Sequence, residues 1–170
     1  MPSVIDCLWD AEKGRLLVGS ASAKAVQTVL ELFKTTFGMD PTPLSPAGDM
    51  PKLFATILRG NGYPCDGYTL HPMCSASLAA PQQAEEKAAV DVQSCLSAVA
   101  QALEDGMAIQ KLHLVATPDA DPDRQLEFML DAGLAVSGLK LPKTEKGADE
   151  DARFLVNAEV CAAVVDMVEG

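Results

Sequence analysis

The sequence predicts an α+β fold: an antiparallel β-sheet, made of a hairpin plus a meander, packed against several amphipathic helices. Three observations predict it. Apolar residues recur at three- and four-residue spacing in two early segments, the period changes to two from Ala108 onward, and short apolar runs are separated by turn-forming residues.

The elements follow in order. Ile5 to Trp9 and Arg15 to Val18 flank the polar turn Asp10-Ala11-Glu12-Lys13-Gly14, which predicts a hairpin. Ser22 is placed to cap a helix carrying Val26, Val29, Leu30, Phe33 and Phe37, and Gly38 stops it. Asp40 to Pro46 is a Pro-rich connector, and a second helix is predicted from Met50 to Arg59 with Leu53, Phe54, Ile57 and Leu58 inward, ending at Gly60-Asn61-Gly62. Tyr68 to His71 reads as a strand, and the weakly patterned residues 75–83 leave two organisations open: a linker between an N-terminal lobe (1–74) and a C-terminal lobe (84–170), or a single domain. A long helix is predicted from Gln83 to Glu104, with Val92, Cys95, Leu96, Val99 and Leu103 on one face and Gly106 as its cap. Beyond Ala108, Leu112, Leu114 and Ala116 alternate with Lys111 and His113, as a half-buried strand requires. Gln125 to Leu130 and Leu134 to Leu141, joined by Asp131-Ala132-Gly133, complete the meander. Lys143 to Asp151 reads as a charged loop and Arg153 to Val156 as a last strand, after which Asn157 is placed to cap a closing helix.

Charge and cysteine content narrow the function. Thirteen basic residues against 24 acidic ones give a net charge of −11, which opposes a polyanionic partner at long range. The charge is uneven: residues 11–60 hold six basic and four acidic residues, whereas everything from Asn61 onward holds seven and eighteen. A local basic face is therefore compatible with an acidic exterior. Five cysteines at irregular spacing argue for reduced thiols rather than a disulfide framework. No stretch approaches the roughly 20 apolar residues of a membrane-spanning helix, and no signal-peptide pattern opens the chain, so a cytoplasmic location is expected.

Catalytic and metal templates fit poorly. Gly19-Ser20-Ala21-Ser22-Ala23-Lys24 has the outline of a nucleotide-binding P-loop but lacks its second glycine and the hydroxyl after the lysine. What remains is a helix N-terminus with a capping serine and Lys24 in its first turn, enough for a single phosphate. Asp119, Asp121 and Asp123 open like a calcium loop, yet Arg124 and Leu130 stand where glycine and glutamate are needed. Cys65, His71 and Cys74 lack the paired short spacings of zinc sites, and neither His71 nor His113 accompanies a nucleophile-elbow serine. No catalytic residue, metal ligand or cofactor is expected.

From Ala21-Ser22-Ala23-Lys24 through Phe37-Gly38 without a gap, the sequence resembles the recombination-associated RdgC family. The similarity continues at Pro43-Leu44-Ser45, the Leu53 to Gly60 helix, Gly67-Tyr68, the run from Leu103 to Leu114, Leu126 to Met129, Gly138-Leu139-Lys140, and Ala152 to Glu169. It spans nearly all of this chain and corresponds to the C-terminal half of the family's length. The resemblance implies an elongated α+β protein that forms a head-to-tail homodimeric ring around duplex DNA, binds without sequence preference and limits recombinase access. Ring closure in the family needs contacts from both ends of the longer chain, so three alternatives stay open here: a different closure, weaker DNA binding, or a chain that is part of a larger protein. The matched basic positions Lys24, Lys111 and Lys140 are the first candidates for DNA binding, with Lys34, Lys52 and Arg59 second. The resemblance also implies a nucleoid-associated, non-enzymatic role. Two alternatives remain open: a protein-interaction or oligomerisation module that keeps the fold without the DNA site, and a metal-dependent nuclease, to which adjacent loop aspartates are poorly suited.

Overall fold

The computed structural model describes residues 4–20, 22–60, 62–65, 67–80, 83–91, 101–141 and 149–169. The fold is α+β, and the chain divides into two compact units, Met1–Leu44 and Ser45–Gly170.

In the first unit, strands β1 (Cys7–Asp10) and β2 (Arg15–Val18) pair antiparallel with Trp9 opposite Leu16. The turn is fixed locally: Asp10 Oδ1 accepts hydrogen bonds from the backbone N–H groups of Glu12 and Lys13, at 3.1 and 3.0 Å. Helix α1 (Ala23–Phe37) starts and stops where the residues dictate. Ser22 Oγ accepts from Ala25 N at 3.4 Å, and Gly38 takes the left-handed conformation (φ 67°) while its N–H bonds to Lys34 O. Trp9, Phe33 and Phe37 form an aromatic cluster with ring centroids 4.7 to 5.3 Å apart. None of the described residues in this unit is buried, and Trp9 and Phe37 remain 43% and 49% exposed.

The second unit holds the core. Helix α2 (Met50–Arg59) is capped by Asp49, whose carboxylate accepts from Lys52 N, and Pro51 sits in the first turn where its missing N–H costs nothing. Phe54, Ile57 and Leu58 are buried, and Leu53 is half-buried against the same cluster. Six strands form one antiparallel sheet: β3 (Tyr63–Cys65), β4 (Tyr68–Ala80), β5 (Gln83–Asp91), β6 (Ala108–Pro118), β7 (Leu126–Asp131) and β8 (Val136–Ser137). The long β4 takes β3 and β5 along one side and β6 along the other, and β6, β7 and β8 follow as a meander. Leu112, Leu114 and Ala116 are fully buried beside Phe128 and Leu130 on one face of the sheet, in one cluster with Phe54 and Ile57, so Lys111 and His113 project from the opposite face. Helix α3 (Glu150–Glu169) contributes Val164 and Met167 to the same cluster.

Several expectations are corrected. Residues 83–91, expected to begin a long helix, form β5, and most of the residues expected as a linker belong to β4. Their Ala, Glu and Lys content favours a helix, but pairing Ala76 with Val90 and Leu78 with Ala88 satisfies the backbone along a neighbouring strand instead. Residues 101–104 are helical and end as expected: Gly106 is left-handed (φ 86°), with Met107 N bonded to Ala102 O and Gly106 N to Leu103 O. The expected apolar face at Val92, Cys95, Leu96 and Val99 lies outside the described residues. Arg153–Val156 is helix, not strand, and Asn157 lies inside α3 rather than capping it. The stripe Val156, Val160, Val164, Met167 and Val168 keeps helical spacing from before Asn157. The strand expected over Leu134–Leu141 shrinks to β8, because Asp131 Oδ1 accepts from both Gly133 N and Ala135 N and bends the chain, with Leu134 at φ 66°.

Candidate functional site

The six cations singled out by the sequence fall into three groups. Lys24 lies exposed in the first turn of α1, beside Ser22 and Ser20, whose hydroxyls accept from Ala25 N and Ser22 N at 3.4 and 3.2 Å. Lys34 is on the same helix, ten residues and about 280° of rotation away, so it faces another side. It is also ion-paired with Asp40.

Lys52 and Arg59 form the second group. Seven residues apart, they share one stripe of α2 and line a shallow cavity of about 280 Å³ with Asp49, Ala55, Leu103 and Met107. Lys52 lies 3.7 Å from the Asp49 carboxylate, the group that also caps the helix.

Lys111 and Lys140 form the third group, on the face of the sheet turned away from α2. Strand register explains the neighbourhood. Lys111 pairs with Asp131, His113 with Met129, and Val115 with Glu127, so Lys111, His113 and Glu127 share one face. The segment after β8 runs back along β7, where Lys140 N donates to Glu127 O at 2.9 Å. That backbone bond brings Lys140 Nζ to 2.7 Å from Glu127 Oε2, while His113 Nε2 lies 3.0 Å from Glu127 Oε1. One carboxylate thus bridges a lysine and a histidine. The hydrogen bond from Lys140 is the main cause that holds the Glu127 carboxyl below its ordinary range. Partial burial opposes this, and the charge of Lys140 and the contact with His113 add to it.

Within the second unit the sheet separates the second group from the third, so these four cations do not share a surface. Among the described residues, Lys24, Arg59 and Lys111 have no carboxylate within ion-pair distance, whereas Lys34, Lys52 and Lys140 do. Glu127 is the residue that sequence reading missed. Its only signal was its alternation with the inward Phe128, which puts it on the face shared with His113.

The other motifs resolve locally. Asp121 pairs with Arg124 at 3.2 Å, and Asp119 accepts from the Thr69 hydroxyl at 3.3 Å. Burial pushes the Cys161 thiol up, and burial together with Asp6 does the same for Cys7, so neither is an activated nucleophile. Among the described residues no three His, Cys, Asp or Glu side chains converge as a metal site, and no helix is long and apolar enough to cross a membrane. Comparison of the sequence with protein-family models and with curated proteins finds no match.

Proposed function

We propose that the chain is a non-catalytic, sequence-independent duplex DNA-binding protein of the recombination-associated RdgC type, nucleoid-associated and acting as a homo-oligomer that limits recombinase access to DNA. The motifs quoted above support the family reading. The observation that carries the binding mode is the position of Lys111 and Lys140, two of the three matched lysines, on one face of the six-stranded sheet with His113 between them. Val115, opposite Glu127, is four positions along β6 from Lys111, which is about 13 Å of strand and spans more than one phosphate of a duplex strand. Recognition is then a matter of neutralising phosphates, with Lys24 at the start of α1 as a further contact.

A salt titration with random-sequence duplex tests this. Affinity is expected to fall steeply with ionic strength, and Lys111→Gln and Lys24→Gln are each expected to lower the slope of log K against log salt by about one, equally for all sequences. Binding indifferent to salt overturns the reading.

A second reading is favoured by one observation: Lys34, Lys52 and Lys140 each already hold a carboxylate. On that reading the chain is an interaction module that keeps the fold without the DNA site. Self-association in solution with no retention of duplex at low salt identifies it.

A further inference from the structure

We propose that Glu127 is a built-in competitor for phosphate: it occupies Lys140 and His113, so this face of the sheet reaches its full affinity for a polyanion only when the Glu127–Lys140 pair opens. The inference rests on the DNA-binding reading above and adds a regulatory element to it. Three features of the site carry it. First, the bridging geometry is bidentate, with the two carboxylate oxygens serving different partners at 3.0 and 2.7 Å, so a single anion holds two potential phosphate ligands. Second, the two ends of the pair differ in exposure. The Glu127 side chain is 21% exposed, whereas that of Lys140 is 70% exposed and so accessible to a ligand. Third, Lys111 on the same face has no carboxylate within ion-pair distance among the described residues, so a duplex could make its first contact there and then meet Glu127.

The energetics favour a switchable rather than a fixed arrangement. An exposed lysine–carboxylate pair is individually weak and salt-screened, whereas a phosphate that replaces the carboxylate also releases condensed counterions. Until the pair opens, however, the Glu127 charge repels the incoming phosphate. Removing it should therefore help binding, and the help should come through Lys140.

The test is a double-substitution cycle on the full chain, reading duplex affinity at about 50 mM salt and its salt slope. Glu127→Gln is expected to tighten binding by about tenfold and steepen the slope by about one, the signature of one additional phosphate contact. Lys140→Gln in the native background removes a lysine of the proposed DNA face and leaves the Glu127 charge unpaired there, so it is expected to weaken binding by about threefold or more. In the Glu127→Gln background, Lys140→Gln is expected to abolish the gain. A gain that survives loss of Lys140 is a bulk charge effect and overturns the proposal. An unchanged or weakened Glu127→Gln variant overturns it too, by making Glu127 an organiser of the site. Should Glu127→Gln fail to fold, Glu127→Thr, a strand-compatible neutral replacement, is read in its place with the same outcomes. If neither the native chain nor Glu127→Gln binds duplex even at low salt, the DNA-binding reading fails and the inference fails with it. Salt-dependent native binding with no gain in Glu127→Gln sinks the inference alone.

Discussion

Glu127 shows how much a single side chain can decide. Its carboxyl is held below the ordinary range chiefly by the Lys140 hydrogen bond. A carboxylate whose folded-state pKa is depressed contributes stability that is fully present above its unfolded value, near 4.3, and lost as pH falls through the folded value. The native chain and Glu127→Gln should therefore differ most in urea midpoint at about pH 7 and converge as pH falls through the folded-state value, below which the carboxylate is protonated in both states. A gap between the two midpoints that stays constant across that range would mean the ionised pair contributes nothing. Lys111 and Lys140 could be picked out as cations from the sequence, but their different electrostatic states could not. Glu127 lies 13 residues from Lys140 and 14 from His113, and only strand pairing brings the three together. Composition told the sign of each charge; register told which charges cancel.

At the scale of elements, the hairpin, the meander and the first two helices were read correctly, whereas β5 and the start of α3 were not. Helices α1 and α2 were legible because cap, apolar stripe and stop lie within about fifteen residues of each other: Ser22 and Gly38 bracket the first, Asp49 and Gly60 the second. β5 was illegible because Gln83–Asp91 is composed of helix-favouring residues and becomes a strand only against β4. The start of α3 was misread for the converse reason, since Arg153–Val156 looks like a short strand until the stripe beyond it is counted as one helix. Helix α2 offers a graded test of local against tertiary stabilisation. Asp49→Ala removes the carboxylate that accepts from Lys52 N and should cost about 1 kcal/mol, a typical cap loss. Phe54 is fully buried against Leu112, Leu114 and Phe128, so Phe54→Ala should cost about 3 to 5 kcal/mol. Chemical denaturation of both variants checks the ratio. Equal losses would mean that the helix is held by its cap rather than by the sheet beneath it.

Across the whole molecule, charge and core divide at the same place. Met1–Leu44 carries four basic and five acidic residues, nearly balanced, whereas Ser45–Gly170 carries nine and nineteen. Every residue of the buried cluster lies between Met50 and Met167, and no described residue of Met1–Leu44 is buried. The second unit therefore has what a domain needs to fold alone: one continuous apolar core between a sheet and two helices, closed by pairings within its own chain. The first unit has a hairpin, a helix and a half-exposed aromatic cluster, too little buried surface for a chain of that length to be stable by itself. A fragment comprising Ser45–Gly170 should accordingly unfold in one cooperative transition with a midpoint within about 5 °C of the full chain's main transition, while Met1–Leu44 alone should show no cooperative melt. Near-ultraviolet circular dichroism and thermal scans of both fragments decide it. A broad, non-cooperative melt of Ser45–Gly170 would mean that the hairpin and α1 supply stability that burial within the second unit does not account for.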